Sequence, residues 1–339
     1  MRFLQYTAAL QNVEKIIVDG NQCGAGFQLS HWPGNTTPLE FKADLSVEIV
    51  LHLLSSRAGL PRLAHVPLIT NDHYDTDGLL AAWALLNPIE ALRHDRALIA
   101  AAQAGDFYEF SSPKAVQFDL LVRAFERRES APVAADPGQA DADRWQRATE
   151  AVFDEMPDLL YHPERYVRLW DEDYRKLMEK IALVQRGFAE VREFPDESLS
   201  VISTRFPLDH FTRNLACKGD RILETLERRE GAAYELHYRE FLWYDIVSRP
   251  RTFKHLLYRA AEQLNGLEAS GACGSWGVTR WTPALRFVAS PARATLRVKS
   301  NDPLGYSSLP LDVVQGVIRG EFRRLDDAAA RCMETEAHS

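Results

Sequence analysis

Residues 65–86 read "HVPLITNDHYDTDGLLAAWALL". A short apolar run gives way to Asp72, His73, Asp75 and Asp77 within six residues, and small and apolar residues follow at helical density. Few folds accept that order. A run of this kind is a buried strand, and a helix starting directly after it makes a strand–loop–helix unit of a parallel sheet. Ligands of such sheets bind beyond the carboxyl ends of the strands. Like charges gathered there repel one another, so a cation, a ligand or solvation has to settle them.

The rest of the first third repeats the pattern. "KIIVDG" (residues 15–20) is a β-branched run ending in an Asp-Gly turn, and "ADLSVEIVLHLLSS" has one apolar helical face, with Asp44 as its cap. "LNPIEALRHDRALIAAAQAGDFYEF" is helical up to Gly105, which puts Asp106 just past the helix end. A carboxylate does not complement that negative end of the helix dipole, so Asp106 wants another cause. Strand, helix, strand, helix predicts an α/β fold with a parallel-stranded N-terminal sheet and covering helices. Residues 129–143, rich in Ala, Pro, Asp and Gly, read as a linker or long loop between an α/β core (1–128) and a second part (144–339). That second part reads as helical to about residue 193. It continues as a smaller mixed α+β region with strands at "LSVISTRF", "AYELHYR", "FLWYDIVS", "TPALRFVAS" and "ATLRVKS", then a C-terminal helix.

His73-x-Asp75-x-Asp77-Gly78 supplies one imidazole and two carboxylates at alternate positions. Hard divalent cations prefer carboxylate oxygen, and manganese also accepts imidazole nitrogen, so manganese is the expected metal and magnesium the alternative. The simpler account is a capped, solvated loop, which explains Asp77 but neither His73 nor Asp75. Asp19 is read either as a further ligand from a neighbouring strand end or as a turn residue. Asp106 is read as a ligand or an exposed turn residue. His31 and Trp32, in "SHWPGN", read first as residues packed under a loop, with a ligand or a substrate-stacking platform as the alternative. Trp243, Tyr244, Trp276 and Trp281 are candidates for base stacking, with core packing as the default.

"HYDTDGLLAAW" resembles the first motif of the DHH phosphoesterases, in which a strand leads into His-x-Asp-x-Asp-Gly. The resemblance implies that His73, Asp75 and Asp77 are catalytic metal ligands, that one or two manganese ions are bound, and that water activated by metal attacks phosphorus. It covers roughly twenty residues. No Asp-His-His tripeptide occurs; the nearest segment is "LDHF", which makes Asp209 and His210 further candidate ligands. "GACGSWG" (271–277) is only a loose substitute for that superfamily's Gly-Gly-Gly-His segment. A longer set, "VDG", "LSHWPGN", "ADLS", "DHYDTDGLL" and "AGDF", resembles an uncharacterised bacterial domain-of-unknown-function family. Two rival motifs fit less well. Haloacid-dehalogenase phosphatases place the first Asp at the strand end, whereas Asp75 stands five residues after Thr70; nucleoside hydrolases need further Asp residues that "GLLAA" lacks.

A net charge of -8 gives no basic footprint for duplex nucleic acid. The expected partner is a small anionic, nucleotide-like substrate; oligomeric state is not legible. Cys23, Cys217, Cys273 and Cys332 form no C-x-x-C pair and read as reduced thiols of a cytoplasmic protein, and no stretch is apolar enough for a membrane span. The expectation is therefore a divalent-metal-dependent hydrolase of a phosphoester or phosphoanhydride. The alternatives are a non-catalytic binding or regulatory protein of the same fold and a metal-dependent hydrolase of another substrate.

Overall fold

Ile16, Ile17 and Val18 show no polar alternation because both faces of their strand are covered, and all three are fully buried. In the computed structural model they form β2 (Ile16–Val18) of a four-stranded sheet with β1 (Arg2–Phe3), β3 (Phe27–Leu29) and β4 (Leu68–Thr70). The order is β1-β4-β2-β3 and every pairing is parallel. Ile17 pairs with Thr70 on one side and Val18 with Leu29 on the other, so β4, β2 and β3 end nearly level. The structure describes residues 1–63, 65–128, 137–229, 231–250, 252–269, 274–279, 284–289 and 296–337.

The chain divides into two compact units, Met1–Met178 with Trp243–Pro250, and Glu179–Leu242 with Arg251–Ser339. Helices of the first are α1 (Ser46–Ser55), α2 (Leu60–Leu63), α3 (Thr76–Leu86), α4 (Pro88–Arg93), α5 (Asp95–Phe107), α6 (Pro113–Arg128) and α7 (Pro137–Tyr161), and the division falls within α8 (Val167–Leu183). α3 is buried from Thr76 through Leu85. That is why "GLLAAWALL" is apolar all round rather than striped. Of the stretch read from composition as a linker, 129–136 lie outside the described residues and 137–143 open α7. Pro137 suits a first helical turn, where its missing N–H goes unused, and alanines follow it.

The second unit holds a mixed seven-stranded sheet, ordered β11-β9-β10-β8-β7-β6-β5. Its strands are β5 (Ala189–Phe194), β6 (Leu199–Thr204), β7 (Arg221–Arg228), β8 (Gly231–Tyr238), β9 (Ser275–Thr279), β10 (Leu285–Val288) and β11 (Arg297–Val298). Its helices are α9 (His210–Ala216), α10 (Tyr258–Leu267) and α11 (Leu311–Ala337). Two expectations change here. Residues 189–193, read as helical, form β5, because Gly187 takes a left-handed φ of 81° and ends the helix. "FLWYDIVS" is no strand: Glu240–Trp243 is a single 3-10 turn, and the backbone of Val247 and Ser248 is held by the Asp44 carboxylate. Among the described residues no helix is long and apolar enough to cross a membrane.

Candidate metal centre

Three neighbouring strand ends supply most of the site. β2 runs directly into Asp19, whose φ of +49° is left-handed and costs a non-glycine residue about 1 kcal/mol. β3 leads through Ser30 to His31, and β4 leads into the loop that carries His73 and Asp75 before α3. Because β2 lies between β4 and β3, Asp19 stands between the residues that follow the other two strands. Asp106 comes from the last turn of α5, and Asp77 from the first turn of α3.

The side chains form two groups that share Asp19. In the inner group His31 Nε2 lies 3.1 Å from Asp19 Oδ1, 3.3 Å from Asp106 Oδ2 and 3.8 Å from Asp77 Oδ2. All four side chains are essentially without solvent exposure. In the outer group His73 Nε2 lies 3.0 Å from Asp75 Oδ2 and 3.3 Å from Asp19 Oδ2. His73 and Asp75 are 29% and 25% exposed, so this half alone opens to solvent. Within each group the ligand atoms lie within 4.8 Å of one another, and either group could hold a metal ion.

Neighbours fix the orientation of each ligand. His31 Nδ1–H donates to the Asp44 carbonyl at 2.6 Å, and His73 Nδ1–H donates to Asp72 Oδ1 at 2.7 Å. Each ring therefore turns Nε2 towards carboxylates, the arrangement by which outer partners orient metal-binding histidines. The Asp77 carboxylate accepts from Ser46 N at 2.5 Å and Val47 N at 2.8 Å, which caps α1. Asp75 Oδ1 caps its own helix by accepting from Gly78 N at 2.9 Å. Ser46 Oγ donates to Asp19 Oδ1 at 2.8 Å, and Gln5 Nε2 donates to the Asn71 carbonyl at 2.8 Å, steadying the loop. Behind the first turn of α3, Asp119 accepts from Thr76 Oγ1 and Arg123 Nε, both at 2.8 Å.

Charge and hydrogen bonding both leave the cluster incomplete. Among the described residues, Asp19, Asp75, Asp77 and Asp106 ion-pair with His31 and His73 alone, with no lysine or arginine. Two carboxylates about 4 Å apart repel by about 4 kcal/mol at an effective dielectric of about 20. Several such pairs would consume a stability of about 5–15 kcal/mol, so the cluster must hold protons or cations. Asp19 Oδ2, Asp106 Oδ2 and His31 Nε2 are buried with no hydrogen-bond partner among the described residues. These are metal-binding atoms, and their convergence is what a cation would satisfy.

Without a cation, protons fill that role. Burial would lower the His31 imidazole, but Asp106 and Asp19 outweigh it and raise it well above its ordinary range; Asp75, Asp19 and Asp72 do the same for His73. Asp19, despite its burial, is held far below the usual carboxylate range by the two imidazoles. Burial and the Asp19 charge push Asp77 up to about 7, and burial with the Asp75 charge raises Asp106. At pH 7 a cation must therefore displace bound protons. Calorimetric titration with manganese in buffers of different ionisation enthalpy should show proton release on binding, and affinity should fall as pH falls. Binding without proton release would show that the ion sits elsewhere.

Five of the seven residues expected to bind metal, Asp19, His73, Asp75, Asp77 and Asp106, come together. Asp209 and His210 belong to neither group. Both lie in the second unit, where Asp209 caps α9 by accepting from Thr212 N at 2.8 Å and His210 Nδ1 faces Glu240 Oε1 at 2.6 Å. Of "GACGSWG", residues 271–273 lie outside the described residues and the rest enters β9. Helix α5 does not stop at Gly105. It continues to Phe107 and is closed by Tyr108 at φ +48°, which places Asp106 inside the last turn. Asp44 does not cap α1; its carboxylate accepts from Val247 N at 2.7 Å, Ser248 N at 2.9 Å and Ser248 Oγ. This fastens the segment Trp243–Pro250, whose Tyr244 ring stacks on His31 at 3.9 Å. Trp276 is core, and Trp281 lies outside the described residues.

His31, read first as packed under a loop, joins the inner group, and neither Ser46 as a support of Asp19 nor Asp72 as a support of His73 was foreseen from the sequence. A family model described as a family of unknown function (DUF6687) matches residues 1–331. Neither a curated protein nor a solved structure matches the chain.

Proposed function

The chain belongs to the DUF6687 family, and we propose that it is a divalent-metal-dependent hydrolase of a phosphoester or phosphoanhydride in a small, nucleotide-like substrate. The observation that carries this reading is Asp19, one carboxylate shared by two ligand groups of different exposure. Paired cation positions a few ångströms apart suit in-line displacement at phosphorus. Manganese fits a set of imidazole and carboxylate donors, with magnesium as the alternative. Bound cations would lower the pKa of a water and neutralise charge on the phosphoryl group.

The residues divide that work by exposure. Asp19, His31, Asp77 and Asp106 are shut away, so their position is structural and slow to exchange. His73 and Asp75 face solvent, so substrate and water meet the protein there. Asp44 and Asp72 keep both imidazoles in the tautomer with Nε2 free. The order His73-x-Asp75-x-Asp77-Gly78 supports the phosphoesterase reading through its resemblance to the first DHH motif.

Metal analysis of wild type beside His73→Ala and Asp75→Asn, followed by a manganese-dependent phosphodiesterase assay, tests the reading. Asparagine caps a helix as well as aspartate does, so Asp75→Asn should keep the fold. The expected result is two cations per chain in the wild type, one in each variant, and phosphodiesterase activity in the wild type alone. Equal metal content in all three overturns the outer position. Two cations without hydrolysis of any phosphoester leaves the non-catalytic binding protein or a hydrolase of another bond.

A further inference from the structure

The groups converging on the centre are carboxylates and imidazole Nε2 atoms, and none of them offers a hydrogen bond to an anion without first taking up a proton. A tetrahedral oxyanion held there by cations would carry acceptor oxygens that need a donor. One buried donor beside the centre has no partner among the described residues. The Trp32 indole Nε1–H is shielded from solvent and makes no hydrogen bond to any of them, although carboxylates surround the rings it touches. The indole packs edge-on against His73, with centroids 5.5 Å apart, and edge-on against Tyr244 at 5.1 Å. His73 is the solvent-facing ligand, so the indole borders the outer position, the half a substrate reaches.

The backbone holds Trp32 in place independently of its indole. Trp32 N donates to Ser30 Oγ at 3.2 Å, and the Trp32 carbonyl accepts from Asn35 N at 3.1 Å and Asn35 Nδ2 at 2.8 Å. An indole N–H neither titrates nor binds metal, so it cannot be a ligand of the centre; its only available chemistry is donation. Buried polar groups left unpaired in a folded protein call for an explanation such as a ligand.

We propose that Trp32 Nε1–H donates a hydrogen bond to a non-bridging oxygen of a phosphoryl-class oxyanion at the outer cation position, and so determines specificity for that class. This rests on the metal-centre reading above. The test uses the full chain loaded with magnesium and inorganic phosphate as the probe. Phosphate should move the Trp32 indole ¹H–¹⁵N signal downfield, identified by its disappearance in Trp32→Phe. Calorimetry should show Trp32→Phe binding phosphate about 10-fold more weakly than wild type, with unchanged magnesium stoichiometry and affinity. Phenylalanine keeps an aromatic edge for packing and removes only the donor. An unmoved indole signal in a wild type that binds phosphate overturns the proposal, as does unchanged phosphate affinity in Trp32→Phe. Loss of magnesium from Trp32→Phe also overturns it, by assigning the ring to packing of the ligands. A wild type that binds no magnesium overturns the metal centre itself, and the two failures are thereby told apart.

Discussion

Asp19→Asn is expected to lose both cations at once, with manganese affinity at each position falling at least about 100-fold. The substitution keeps the shape of the side chain and an oxygen to accept from Ser46 Oγ, so what it removes is charge. Each Asp19 oxygen faces a different imidazole, Oδ1 towards His31 and Oδ2 towards His73. No other residue belongs to both groups. Metal content should therefore drop to near zero, whereas His73→Ala and Asp75→Asn retain the inner ion. The metal-free variant should also be less stable by about 1–3 kcal/mol near neutral pH, because each imidazole loses one of the carboxylates that face it. Denaturant melts with and without manganese, beside metal analysis, check both parts. One retained cation per chain in Asp19→Asn would show that the groups do not share this carboxylate.

Gly105→Ala should damage the fold and the centre together. A methyl group there would stand 2.5 Å from Thr76 Cβ, an atom fixed to the backbone of α3 that cannot swing aside. The two helices would have to separate, and they carry opposite sides of the inner group, Asp77 on α3 and Asp106 on α5. Overpacking of this kind costs about 1–3 kcal/mol, more than alanine's better helix propensity returns. Loss of manganese affinity by about 10-fold or more should accompany the lower melting point, because ligand spacing changes with helix spacing. A variant as stable as wild type, or one destabilised with intact metal affinity, would show that α3 and α5 need not stay this close for the centre to form.

What was legible in the sequence was what lies together in it. Residues 71–78 carry their strand, their acids and their helix start in one stretch, and the loop falls at the end of β4 as the pattern requires. Asp19 was legible as the residue after a β-branched run, though not as a shared ligand. That property comes from β2 lying between β4 and β3, which no local pattern records. His31 was placed second to packing because β3 is only three residues long, too short for a periodic signal, and its ring reaches Asp19 only when β3 pairs beside β2. Tyr244 was out of reach for the same reason at greater range. Its segment looks like an alternating aromatic strand, yet its backbone N–H groups go to Asp44, some two hundred residues earlier. Gly105 was read as a helix stop, which is what glycine most often means near a helix end, and here it serves the approach of a neighbouring helix instead.

Trp243–Pro250 belongs to the first unit, although Glu179–Leu242 comes before it in the chain. The order of synthesis follows. A ribosome adds about 5–20 residues per second, so His31, Asp77 and Asp106 leave it several seconds or more before Tyr244 exists to cover the His31 ring. During that interval the Asp44 carboxylate also lacks Val247 and Ser248. A fragment ending at Met178 would be the permanent form of that early chain, with its ligands all made and the aromatic cover over them never delivered.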